Sequence, residues 1–264
     1  MRLGFSTVMY EGSELSNSEI VAKASALGYD GIELNFREWP TFLDIAKIKE
    51  TSSRFNVEVA AIGTRHLYVT HGLYLASTDK TARERALAYL TECMKIAREL
   101  DCSLVQAGWA FQGSRLETSY DVASRQAVES LKETGRRALE YGVDVAIEFA
   151  CRQNAQLVNT MDDALRMLDE VGSPKVLVMA DVFHIHAEGE PLMETVLKAG
   201  ERLTYVHLSD SDRLPPGTGE INFQEFIGAL KGIGYNGYLT MEFNPGPQPD
   251  ESLRLAATYI RGLL

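Results

Sequence analysis

Val143-Asp-Val-Ala-Ile-Glu148, Val176-Leu-Val-Met-Ala-Asp181, Leu203-Thr-Tyr-Val-His207 and Gly237-Tyr-Leu-Thr-Met-Glu242 are four short apolar runs. Each reads as a β-strand, each ends on a potential metal ligand, and a helical pattern follows each. Working outward, the same unit recurs through the chain. Strands are expected at Leu3–Thr7, Gly31–Asn35, Val57–Ile62, Ser103–Ala107, Val143–Glu148, Val176–Asp181, Leu203–Leu208 and Tyr238–Glu242. Helices are expected at Ser18–Leu27, Leu43–Phe55, Thr81–Leu100, Tyr120–Tyr141, Met161–Val171, Pro191–Ala199, Phe223–Ile233 and Glu251–Leu263. Strict alternation implies a parallel sheet with crossover helices, and eight units point to closure. The expected fold is α/β, a (β/α)8 TIM barrel, in one domain over residues 1–264.

Local punctuation agrees with this division. Ser16-Asn-Ser-Glu19 has the spacing of a capping box before an apolar-periodic run. Gly28, Gly142, Gly172 and Gly234 each follow a helical run, where a left-handed cap is expected. No low-complexity stretch or linker breaks the series.

The carboxyl ends of barrel strands converge on one mouth, where active sites lie. Side chains alternate along a strand, so Ala146, Met179, Tyr205 and Thr240 share a face with Glu148, Asp181, His207 and Glu242. A lone carboxylate at a strand end is commonly a helix N-cap or the partner of an arginine. Four ligands of matching parity on consecutive strands favour a metal instead. Three carboxylates and an imidazole aimed at one point would repel each other without a cation. An oxygen-rich set with one imidazole suits Mn²⁺ first, then Mg²⁺ or Co²⁺, and Zn²⁺ less well.

The formal net charge of −11 disfavours a nucleic-acid partner, which needs clustered Lys and Arg. Cys93, Cys102 and Cys151 lack metal-binding spacing and suit a reducing compartment. The amino-terminal residues lack the apolar stretch of a signal peptide, and no segment has the apolar length of a membrane span. The expectation is a cytoplasmic protein without a membrane partner.

Several stretches carry a family resemblance: Ile147-Glu-Phe-Ala-Cys-Arg152, Val158-Asn-Thr-Met-Asp-Asp-Ala164, Ala180-Asp-Val-Phe-His184, Val206-His-Leu-Ser-Asp-Ser-Asp-Arg213 and Pro216-Gly-Thr-Gly219. Ala61-Ile-Gly-Thr64, His71-Gly-Leu-Tyr-Leu75 and Met241-Glu242 extend it. The chain resembles the xylose-isomerase-like barrels, and among them the ketose 3-epimerases of the D-tagatose and D-psicose type. That resemblance implies that Glu148, Asp181, His207 and Glu242 hold the metal, with Glu148 and Glu242 also the acid/base pair. It assigns His184 and Arg213 to the sugar substrate, and it implies a homo-oligomer, dimer or tetramer. One position departs from the family. Two residues after Arg152 the family usually has Glu, and this chain has Asn154, a less anionic choice that suits a carboxylated sugar.

Inverting a carbon beside a ketone requires removal of a C–H proton and its return from the other face. Two bases around a cation meet that need. The same machinery serves an aldose–ketose or hydroxypyruvate-type isomerase and a keto-inositol dehydratase, so these stand as alternatives. Read by themselves, His66 and His71 are ordinary loop histidines, and Trp109 packs either in the core or against a sugar face. Pro215-Pro-Gly-Thr-Gly219, with no lysine near, reads as a rigid lid or turn.

Overall fold

The computed structural model describes residues 1–40 and 44–264. Its strands are β1 (Arg2–Ser6), β2 (Gly31–Asn35), β3 (Glu58–Gly63), β4 (Leu104–Ala107), β5 (Asp144–Glu148), β6 (Val176–Asp181), β7 (Leu203–Leu208) and β8 (Tyr238–Met241). They form a closed barrel in the order β1 to β8, with helices between them, so the fold is the expected (β/α)8 barrel. By contact density the chain divides into two compact units. One comprises Met1–Leu34, Asp44–Ala60 and Ala180–Leu264; the other comprises Asn35–Leu43 and Ala61–Met179.

In the first unit, β1 pairs in parallel with β2 and with β8, and β7 pairs with β8. Leu3, Phe5, Ile32, Leu34, Val206, Leu208, Leu239 and Met241 are all buried. Burying a side chain of this size contributes about 1.5–3 kcal/mol. Gly31 is there for space, because a Cβ would come within 2.7 Å of the Tyr238 ring. That ring closes over β2, and the Arg2 guanidinium lies 4.3 Å from its centroid.

In the second unit, β4 pairs with β5, and β5 pairs with β6 through Glu148 opposite Met179. The helices Tyr120–Tyr141 and Met161–Val171 have the predicted bounds. Both end on a left-handed glycine, Gly142 at φ 71° and Gly172 at φ 63°. The predicted capping box is formed in the first unit: Ser16 Oγ accepts from Glu19 N, and Ser16 N donates to Glu19 Oε2 at 2.8 Å.

Some boundaries move. The strand expected at Val57–Ile62 is Glu58–Gly63, and the helix expected at Leu43–Phe55 is Ile45–Phe55, with Leu43 itself outside the described residues. Three short helices, Arg65–Val69, Trp109–Gln112 and Val182–Glu188, follow β3, β4 and β6 where loops were expected. Among the described residues, no helix is long and apolar enough to cross a membrane.

Candidate active site

Strand register builds the first cluster. Ser6 on β1 stands opposite Glu33 on β2, and His207 on β7 stands opposite Thr240 on β8. Glu242 lies two residues past Thr240, and its N–H donates to Leu208 O at 3.0 Å, which carries the ladder beyond β8. Alternation therefore keeps Glu242 on the face of Thr240. Tyr205 and His207 share a face of β7 with rings 5.5 Å apart, and Thr240 Oγ1 donates to the Tyr205 hydroxyl at 2.7 Å.

The imidazole of His207 lies between two carboxylates. Nε2 is 2.7 Å from Glu33 Oε2, and Nδ1 is 3.4 Å from Glu242 Oε2. Ser6 Oγ donates to the other oxygen of Glu33 at 2.9 Å. Glu33 and His207 are each only 1% exposed. Burying ionised groups this deeply is costly unless they are paired or bind a cation.

Asp181, fully buried at the end of β6, has both oxygens in use. Oδ1 accepts from Phe183 N at 2.9 Å and caps the helix Val182–Glu188. Oδ2 accepts from Arg213 Nη1 at 2.7 Å. Arg213 also reaches His184, with Nη2 3.0 Å from Nε2. A guanidinium has no acceptor, so Nε2 of His184 accepts here and the ring proton sits on Nδ1. That Nδ1 is buried with no hydrogen-bond partner among the described residues. The guanidinium lies 4.3 Å from the Phe183 ring centroid, and Nη1 is 3.7 Å from Glu242 Oε2.

The loop after β7 holds Arg213 in this place. Asp210 is buried, and its carboxylate accepts from the N–H groups of Ser211 at 2.8 Å, Gly217 at 2.8 Å and Ile221 at 3.1 Å. Burial alone would raise this carboxyl's pKa. The backbone donors, Gly219 among them, win and hold it below the usual carboxylate range. The predicted turn at 215–219 is thus wrapped around one buried anion, Asp210.

Glu148 ends β5 in the second unit. Gln106 Nε2 donates to its Oε2 at 3.0 Å, and Gln112 Nε2 donates to its backbone carbonyl at 2.9 Å. Asn154 follows in a turn, with its N–H on Cys151 O at 2.8 Å and its Oδ1 accepting from the Cys151 thiol at 3.4 Å. His66 is buried with Nδ1 3.1 Å from Thr70 Oγ1, His71 packs against Trp39, and Trp109 packs against Tyr68.

Sequence reasoning passed over Glu33, Ser6 and Gln106. A glutamate inside the apolar run Gly31-Ile-Glu-Leu-Asn35 was the available signal, because a carboxylate on a buried strand needs a partner. Its partner His207 lies 174 residues away, beyond the reach of local pattern.

A closed barrel whose strand ends carry clustered carboxylates and an imidazole defines the class of α/β barrels with a candidate metal site at the mouth. The profile of the xylose isomerase-like TIM barrel family matches residues 21–262, and the chain belongs to that family. The chain is 28% identical over 227 residues to D-psicose 3-epimerase of Enterocloster bolteae, covering 83% of this chain and 74% of that protein. It is 29% identical over 227 residues to L-ribulose 3-epimerase of Methylomonas sp., covering 84% and 76%. The fold is shared with the crystal structure of D-psicose 3-epimerase with D-tagatose from Clostridium cellulolyticum H10. The TM-score is 0.90, at 24% identity, with 100% of this chain and 99% of that one covered.

The donor set fits a divalent cation. Glu33, His207 and Glu242 place side-chain donor atoms within 4.8 Å of one another, and with Nε2 of His207 taken up by Glu33, Nδ1 and the Glu242 carboxylate are left for the ion. Two donors on one ion at bond lengths of about 2.1 Å stand about 3–3.4 Å apart. Nδ1 of His207 and Oε2 of Glu242, at 3.4 Å, have that separation.

Proposed function

We propose that this chain is a metal-dependent epimerase of a ketose or keto sugar acid, inverting the carbon beside the ketone through a planar enediolate. The observation that carries the reading is the face-to-face pair of the buried His207 Nδ1 and the half-buried Glu242 Oε2. Kinship with ketose 3-epimerases supports the substrate class. Glu148, Asp181, His207 and Glu242 would hold the cation, and the oxygen-rich set favours Mn²⁺. When bound, the cation supplies a Lewis acid that polarises a carbonyl.

The protein's own groups do the rest. Glu148 and Glu242 act on opposite faces of the reacting carbon, one removing the proton and the other returning one. Gln106 orients the Glu148 carboxylate through its hydrogen bond to Oε2. Arg213 and His184 bind sugar oxygens, with the Nδ1–H of His184 as a donor. Asn154 leaves the site less anionic than a glutamate would and favours a carboxylated sugar. The reading takes the chain as one catalytic domain in a homo-oligomer, dimer or tetramer, testable by sedimentation velocity. The cysteines Cys93, Cys102 and Cys151 are all buried, which accords with the cytoplasm.

Incubation with Mn²⁺ and D-psicose, L-ribulose or a keto sugar acid in D₂O tests the chemistry. Deuterium at C3 together with the C3 epimer is expected. Label confined to C1 would identify an aldose–ketose isomerase, and an absorbing enone would identify a dehydratase. Either result overturns the proposal. Glu148→Gln and Glu242→Gln should each lower the rate by about 10²–10⁴-fold.

A further inference from the structure

We propose that Glu33 is a positioning residue: it fixes the tautomer and ring orientation of His207 so that Nδ1 is presented to the metal. The inference rests on the metal reading above and concerns a residue outside the ligand set of that reading. Glu33 Oε2 lies 2.7 Å from His207 Nε2, and Oε1 accepts from Ser6 Oγ at 2.9 Å. A carboxylate accepting at both oxygens takes the Nε2 proton as a hydrogen bond. That leaves a lone pair on Nδ1.

The lone pair faces Glu242 Oε2 across 3.4 Å. Acceptor facing acceptor is repulsive until a cation comes between them. With the opposite tautomer, Nδ1–H would point at Glu242, the ring would offer the wrong nitrogen, and the cation would lose a ligand. The two ring nitrogens point apart, so an ion bound at Nδ1 lies on the far side of the imidazole from Oε2 of Glu33. The carboxylate therefore acts through the ring. Metal-bound histidines commonly donate their second N–H to a carboxylate in this way, and loss of the carboxylate costs about 10–100-fold in metal affinity. The arrangement spans three strands, since Ser6 is on β1, Glu33 on β2 and His207 on β7.

The test uses full-length protein stripped of metal by chelation and titrated calorimetrically with Co²⁺ or Mn²⁺ alone. ¹⁵N spectra of the histidine side chains are recorded on the metal-free protein in mildly alkaline buffer. Wild-type protein should bind one ion per chain and show His207 as the Nε2–H tautomer. Glu33→Ala should bind about 10–100-fold more weakly and show mixed tautomers. Glu33→Gln keeps an acceptor oxygen at the same place, so it should keep the Nε2–H tautomer and bind between the two; it also carries the test if the alanine variant does not fold. Glu33→Ala binding within about twofold of wild type, or either variant losing the Nε2–H tautomer without losing metal affinity, overturns the proposal. Failure of the wild-type protein to bind either ion overturns the metal reading itself, and the proposal with it.

Discussion

Arg213 Nη1 lies 2.7 Å from Asp181 Oδ2, while the backbone of Arg213 is held at φ 61°. A left-handed residue other than glycine costs about 1–2 kcal/mol, so the surrounding loop must impose it. Three bonds do so: Arg213 N donates to Asp210 O at 3.0 Å, Asn244 N donates to Arg213 O at 2.6 Å, and Asp210 N donates to Leu214 O at 2.9 Å. The strained backbone aims one guanidinium at Asp181 and His184 together. Lysine cannot reproduce that fork. Arg213→Lys should lower kcat/KM by about 10–100-fold, the worth of charge-assisted bonds, and should leave the melting temperature nearly unchanged. Steady-state kinetics and calorimetry on the same preparation check both halves.

Asp210 should matter for stability in a pH-dependent manner. Its carboxyl is held below the usual range by backbone N–H groups that outweigh the opposing effect of burial. A depressed folded value means that the stabilisation is complete above the unfolded pKa of about 4 and is lost as pH falls through the folded value. Asp210→Asn should therefore cost about 1–3 kcal/mol near neutrality, with the gap to wild type narrowing in acid. Denaturant melts over a pH series measure it. A gap that stays constant down to strong acid would show that the anion is not what the loop is built around.

Metal removal should be visible without any substrate. A ligand at one hundred times its Kd stabilises the folded state by about 2.7 kcal/mol. For a chain of this size, chelation should then lower the melting temperature by about 5–10 °C, with recovery on adding Mn²⁺. Glu242→Gln should show a smaller difference between the chelated and loaded forms, because the amide is a weaker donor to a cation. Equal shifts in both proteins would remove Glu242 from the ligand set.

Much of the framework was legible because its signals are local. The helix Tyr120–Tyr141 spans six turns of one amphipathic pattern, and the strands Gly31–Asn35, Val176–Asp181 and Leu203–Leu208 are short, largely apolar runs. The helices Arg65–Val69, Trp109–Gln112 and Val182–Glu188 were not legible, since four to seven residues show no full period. Asp181, His207 and Glu242 could be picked out because a polar side chain closes an apolar run. Glu33 could not, since it sits inside its run and its role depends on a histidine brought near only by barrel closure. Asp181 also illustrates that an expected alternative need not exclude the functional one: it caps a helix, pairs with an arginine and is the predicted ligand.

Gly108 gives a test at Glu148 that substitutes none of the proposed ligands. It caps the short helix after β4, and a Cβ there has no room. A Cβ there would collide with Glu148 Oε2 and stand 2.8 Å from Gln106 Nε2, the two groups whose hydrogen bond orients the carboxylate. Gly108→Ala should therefore turn the Glu148 carboxylate away from Gln106. If Glu148 is one of the two proton-transfer groups, epimerisation in D₂O should fall by about 10²-fold or more, approaching Glu148→Gln. A circular-dichroism spectrum and a melting curve recorded alongside separate a turned carboxylate from a disturbed fold. Gln106→Ala in the same background removes one of the colliding groups and should restore part of the rate. Full activity in Gly108→Ala would mean that the position of this carboxylate is unimportant and would leave Glu242 as the sole acid/base candidate.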